Sequence, residues 1–245
     1  MRKQAYRRII PNFFTLLSMF FGFYSMILAS NGRFRDAAWV IIIAAILDAL
    51  DGLSARLLKS GSEFGVELDS LADVISFGAA PSFLIYHAVF EKFGIWGIIF
   101  ASLMMLAGGF RLARFNSELT DYDKKSFSGL PIPSSAITLA SFIFLSENAG
   151  LIREEFVAWS FPLVVGLSIL MVSRIKYETL PKLSVEGVKD KPFHFLFLLA
   201  GLVTTIFWGA GMIFYFFIFV ILFGIFRELY YKLSAPHSNS ELSER

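Results

Sequence analysis

Long apolar runs separated by short polar stretches make up most of this chain, and their length sets the first expectation. A run of about 20 residues crosses a hydrocarbon layer of ~30 Å as a helix. Eight spans are predicted, at 12–30, 36–58, 66–89, 94–115, 131–147, 155–173, 193–208 and 211–231. Pro11, Pro131, Pro192 and the Gly209/Gly211 pair read as start and break signals between them. The expected fold class is an all-α polytopic membrane bundle. One transmembrane domain would occupy 1–233, followed by a polar, disordered tail over 234–245. The first apolar run has a basic flank but no small-x-small cleavage site, so it reads as a retained helix rather than a leader.

Composition agrees. The 245 residues are 56% hydrophobic and 17% charged, whereas soluble domains carry roughly 25% charged residues. An even number of spans puts both termini on one side of the membrane. Eighteen Lys and Arg residues fall on that side, against Arg33, Arg35, Lys92 and Arg153 on the other. The positive-inside rule then makes both termini cytoplasmic and the chain an integral protein of the cytoplasmic membrane, with no nucleic acid as partner. There is no cysteine and there are only three histidines, so disulfides and thiolate metal sites are excluded and a His-built zinc site is disfavoured.

One apolar stretch breaks the pattern. Residues 47–73, LDALDGLSARLLKSGSEFGVELDSLAD, carry Asp48, Asp51, Asp69 and Asp73. A carboxylate near mid-membrane costs about 2.5–3.5 kcal/mol on insertion scales, so four together call for a cation. Asp48, Asp51 and Ala55 share one helix face, as do Asp69 and Asp73 on the next span. The short KSGSEFG connection makes the two spans an antiparallel hairpin and brings both pairs to the cytoplasmic side. Carboxylates without His or Cys select hard cations, Mg²⁺ or Mn²⁺. Four of them are enough for a pair of ions, an arrangement suited to phosphoryl transfer. Gly52 and Gly65 leave room for a bulky substrate, and Arg56 offers a planar fork to a phosphate.

The pattern Asp48-x2-Asp51-Gly52-x2-Ala55-Arg56-x8-Gly65-x3-Asp69-x3-Asp73 resembles the full signature of the CDP-alcohol phosphotransferases. The segments RRIIPNFFTLLSMFFGFYS, SEFGVELDSLADVISFGAAPS, FRLARFN (110–116) and FSGLPIPSSA (127–136) look like the branch of that family that uses L-serine as acceptor. The resemblance implies transfer of a phosphatidyl group from CDP-diacylglycerol or a related CDP-lipid to serine, with release of CMP. It further implies that Asp48, Asp51, Asp69 and Asp73 hold two Mg²⁺ or Mn²⁺ ions and that Asp73 is the general base. Gly52, Ala55, Arg56 and Gly65, with Asn12 and Thr15 of the first helix, would bind the CDP-lipid. A homodimer is also implied. Arg111, Arg114 and Asn116 are candidates for the serine pocket, because an amino acid acceptor needs a cation for its carboxylate.

Other readings stay open on the residues alone. The aspartates would be structural if they paired with Arg56, Lys59 and Arg111. Arg111 and Arg114 would be ordinary positive-inside flanks. An acceptor such as glycerol 3-phosphate or an inositol phosphate would use the same chemistry but demand a denser basic pocket. A divalent-cation transporter would also bury carboxylates, though nearer the midplane and with repeat symmetry. His87, His194 and His237 are given no role.

Overall fold

The computed structural model describes residues 2–58, 60, 62–119, 129–148, 153–175, 177, 201 and 203–234. Among them every regular element is helical: α1 (Arg2–Ser30), α2 (Phe34–Leu58), α3 (Glu63–Phe93), α4 (Ile95–Leu119), α5 (Ile132–Asn148), α6 (Arg153–Val172) and α7 (Met212–Ser234). Six are long and apolar enough to cross a membrane; α5 contributes a shorter apolar stretch, Ile132–Ser146. Of the expected span at 193–208, residues 203–208 are helical, while 193–200 and 202 lie outside the described residues. The expected tail from Ser234 likewise lies outside them apart from Ser234 itself, the last residue of α7.

Lipid tails are as apolar as leucine, so these helices gain little by hiding apolar surface from water and hold together by close packing and hydrogen bonds. The α1–α2 hairpin shows this. Thr15, Ser18, Ser25 and Ala29 are buried along α1, and α2 answers with Ala37, Ala38, Ala44 and Ala45. The Ser25 hydroxyl donates to the Ala37 carbonyl at 2.9 Å and Ser18 to the Ala44 carbonyl at 3.0 Å. The opposite face of α1, with Phe13, Leu16, Phe20, Phe23 and Ile27, is exposed, as a lipid-facing surface should be. Gly32, at φ 74°, makes the tight turn into α2, and Gly94, at φ 56°, the turn from α3 to α4.

Pro11 departs from its expected role as a start signal. It lies inside α1, which already runs from Arg2. Proline removes one amide donor, and α1 continues through it, with the Pro11 carbonyl 3.1 Å from the Thr15 hydroxyl oxygen.

Helix α3 is the irregular one. It is α-helical over Glu63–Asp73, π-helical over Val74–Ala79, α-helical over Ala80–Ile85 and π-helical again over Tyr86–Phe90. The first wide turn ends just before Pro81, with the Ala80 amide reaching back five residues to the Ile75 carbonyl. A widened turn relieves the clash of a proline ring with the carbonyl four residues before it.

Away from the carboxylates the bundle is aromatic. The Phe161 ring of α6 lies 4.5 Å from Phe90, 5.0 Å from Phe100 and 5.2 Å from Phe93, closing α3 and α4 onto α6. Phe142 of α5 stacks on Phe156 of α6 at 4.4 Å and meets Phe214 of α7 at 5.4 Å. The Tyr177 ring rests on Gly224 of α7, where a side chain would collide with it. Gly108 in α4 similarly makes room for Ile132 of α5.

Candidate functional site

The hairpin of α2 and α3 brings its carboxylates together as the spacing requires. One oxygen from each of Asp48, Asp51 and Asp69 lies within 4.8 Å of the other two. Asp73, one turn deeper along α3, is buried beside Asp48. Its Oδ1 has no partner among the described residues. Among those residues neither Arg56 nor Arg111 forms an ion pair with any of the four, so they do not make the paired arrangement of the structural alternative. Lys59, its third member, lies outside the described residues.

Like charges this close repel strongly in a medium of low polarity, and a bound cation is the direct way to offset them. The donor set is all oxygen, with no nitrogen or sulfur, and one buried carboxylate oxygen stands free. These residues fit a hard divalent cation.

Helix α1 completes the site from the side. Thr15 donates its hydroxyl to Asp51 Oδ2 at 2.7 Å, with the Pro11 carbonyl 3.1 Å from the same hydroxyl oxygen. A cleft of about 140 Å³ opens beside the carboxylates. Asn12, Thr15, Asp51, Gly52, Ala55, Gly65 and Asp69 line it, so the CDP-lipid candidates from three segments share one space. A side chain at Gly65 would come within 3.2 Å of Ser62 Oγ and 3.5 Å of Asn12 Oδ1, crowding the floor of the cleft. A Cβ at Gly52 would stand 3.5 Å from the Arg56 guanidinium, which folds back over that glycine. Arg56 is exposed, near enough to Asp51 to act on its charge.

Two polar cleft residues escaped the sequence reading. Ser62 caps α3, its hydroxyl accepting from the Gly65 amide at 3.1 Å. Ser60 lines the cleft with a buried hydroxyl that has no partner among the described residues. A serine just ahead of a helix start was the available signal for Ser62; nothing in the sequence marks Ser60.

The three serine-pocket candidates part ways. Arg111 is buried beside Asp73, its Nε without a partner among the described residues. The Asn116 amide donates to Ser70 Oγ on α3 at 3.0 Å. Arg114 turns to α6, donating to the carbonyls of Val172 at 2.8 Å and Ser173 at 3.3 Å. The same helix end receives the Leu130 amide on Leu170 and, just beyond it, the Gly129 amide on Ile175. Gly129 holds φ 87° there and leaves no room for a Cβ. The FRLARFN and FSGLPIPSSA segments thus meet at the end of α6.

Residues 8–172 match the family model described as CDP-alcohol phosphatidyltransferase. The chain is similar to a CDP-diacylglycerol–serine O-phosphatidyltransferase of Helicobacter pylori, 40% identical over 174 residues that cover 71% of this chain and 73% of the relative. It is also similar to an archaetidylserine synthase of Methanothermobacter thermautotrophicus, 37% identical over 172 residues, 69% of each chain. A CDP-diacylglycerol–serine O-phosphatidyltransferase of Methanocaldococcus jannaschii is 36% identical over 172 residues, 70% of this chain and 75% of the relative.

Proposed function

The chain belongs to the CDP-alcohol phosphatidyltransferase family, and from that premise we propose that it transfers the phosphatidyl group of a CDP-diacylglycerol-type lipid to L-serine. The products are phosphatidylserine and CMP. One observation carries this reading: carboxylate oxygens of two helices converge beside a cleft that the glycines of the same two helices also line.

Asp48, Asp51, Asp69 and Asp73 would hold two divalent ions, Mg²⁺ or Mn²⁺. When bound, such ions neutralise charge on the diphosphate and on the departing CMP oxygen. The residues supply the rest. Asn12, Thr15, Gly52, Ala55 and Gly65 receive the nucleotide in the cleft, and Arg56 meets its phosphates at the rim. Asp73 accepts the serine hydroxyl proton on its free Oδ1. The serine oxygen forms its bond to the lipid-side phosphorus as the bond from that phosphorus to CMP breaks. Arg111, beside Asp73, is the side chain best placed for the acceptor carboxylate. Asn116 borders that side through Ser70, and Arg114 fixes α4 to α6 rather than reaching the acceptor.

The Lys and Arg bias supports a cytoplasmic position for the carboxylate end of the hairpin, where serine and CMP would exchange. Family membership supports a homodimer, which cross-linking in native membranes would report as a species of twice the mass. The decisive assay follows CMP release and lipid product with CDP-diacylglycerol or CDP-archaeol as donor and serine, glycerol 3-phosphate or an inositol phosphate as acceptor. Serine is expected to be the acceptor that yields lipid; lipid from a phosphorylated alcohol alone would refute it.

A further inference from the structure

Just beyond the carboxylates three helices are tied by two serines. Ser76 sits in the first wide turn of α3, three residues past Asp73, and is fully buried. Its hydroxyl donates to the Ser18 carbonyl of α1 at 3.0 Å. The Ser18 hydroxyl lies 3.5 Å from Ser76 Oγ and donates to the Ala44 carbonyl of α2, one turn before Asp48. At this level α1 and α3 touch backbone to backbone, since a Cβ on Gly22 would stand 2.6 Å from Ser76 Cα. On α1 the tie is three residues from Thr15, which grips Asp51. All three helices are therefore pinned about one turn from the side chains that must converge.

We propose that Ser76 and Ser18 are positioning residues for the metal centre, setting the height of α3 against α1 and α2 and so the reach of Asp69 and Asp73 toward Asp48 and Asp51. The inference rests on the metal-dependent reading above. The demand for accuracy comes from the ion. Mg²⁺ requires oxygens at about 2.0–2.1 Å in near-octahedral array, so a small slide of α3 costs affinity. A helix advances about 1.5 Å per residue, and a slide of even a fraction of that separates the two carboxylate pairs. The wide turn adds to the need for a fixed tie. It shifts the register of α3 immediately after Asp73, and the Ser76 bond fixes that turn in place.

Simple adhesion between helices is the competing role, and metal binding separates the two. Mn²⁺ is titrated into purified protein without lipid substrate, with bound ion read by electron paramagnetic resonance and the melting temperature recorded with and without metal. In Ser76→Ala and in Ser18→Ala the Mn²⁺ midpoint is expected to rise about 3- to 10-fold. The double variant should weaken Mn²⁺ binding by more than either single one, because the Ser76 bond to the Ser18 main-chain carbonyl and the Ser18 bond to the Ala44 carbonyl are separate ties. Gly22→Ala keeps both hydroxyls yet pushes α3 away, so it should raise the midpoint too and stands in where Ser76→Ala does not fold. Lower melting temperatures with an unchanged Mn²⁺ midpoint would overturn the proposal and leave the serines as adhesion. A parent protein that binds no Mn²⁺ would overturn the metal reading itself, and this inference with it.

Discussion

The two ends of the bundle are built on opposite terms. Around the carboxylates, α1, α2 and α3 are joined by a few directional bonds, from Thr15 to Asp51, Ser18 to Ala44 and Ser76 to Ser18. At the other end, Phe90, Phe93, Phe100 and Phe161 interlock through non-directional ring contacts. The first region keeps a cleft and four carboxylates that oppose its own stability; the second has no visible task but cohesion. A membrane protein can carry a costly polar site because the cost is local and the cohesion lies elsewhere.

Substitutions can break or sharpen this contrast. The largest effect is expected from Asp73→Asn: CMP release should fall roughly 10²- to 10⁴-fold while the melting temperature holds or rises. Turnover and thermal unfolding measured on one preparation check it, and a large loss of stability would make Asp73 a structural residue. Phe161→Ala should do the reverse, costing about 3 kcal/mol or more of stability with turnover per folded molecule close to the parent. Denaturation in detergent alongside specific activity tests that. Arg111→Ala should raise the serine KM about 10- to 100-fold at an unchanged Mn²⁺ midpoint, since a charge-assisted bond to the carboxylate is lost. Unchanged serine kinetics would remove Arg111 from the pocket. Smallest is Arg114→Ala, which frees the end of α6 and should cost about 1–2 kcal/mol of stability with serine KM within about twofold.

The carboxylate site was open to reading from sequence because ionised groups within an apolar span are rare and their helical spacing is rigid. Asp48 and Asp51 on one helix and Asp69 and Asp73 on the next could converge in only one way once the linker was seen to be short. Six of the eight expected spans were equally plain, as hydropathy reports them directly. The wide turns of α3 were not, because a π turn depends on what lies across from it: Gly22 admitting Ser76, and Pro81 forbidding a regular ladder. Pro11 misled because a helix can run through a proline at the loss of one amide bond, and nothing in the local sequence says whether it stops there. Arg111 and Arg114 look alike in the chain, three residues apart. Only tertiary contact tells that one turns to Asp73 and the other to the end of α6.

The tight turns at Gly32 and Gly94 both lie at the face opposite the cleft. The α1–α2 and α3–α4 hairpins are thus two pairs of tongs, closed at the far face, whose tips carry the acidic groups and are clasped together by the Thr15–Asp51, Ser76–Ser18 and Asn116–Ser70 bonds. Opening the tips would mean breaking those clasps, whereas the far turns and the phenylalanine cluster beside the second one need not change.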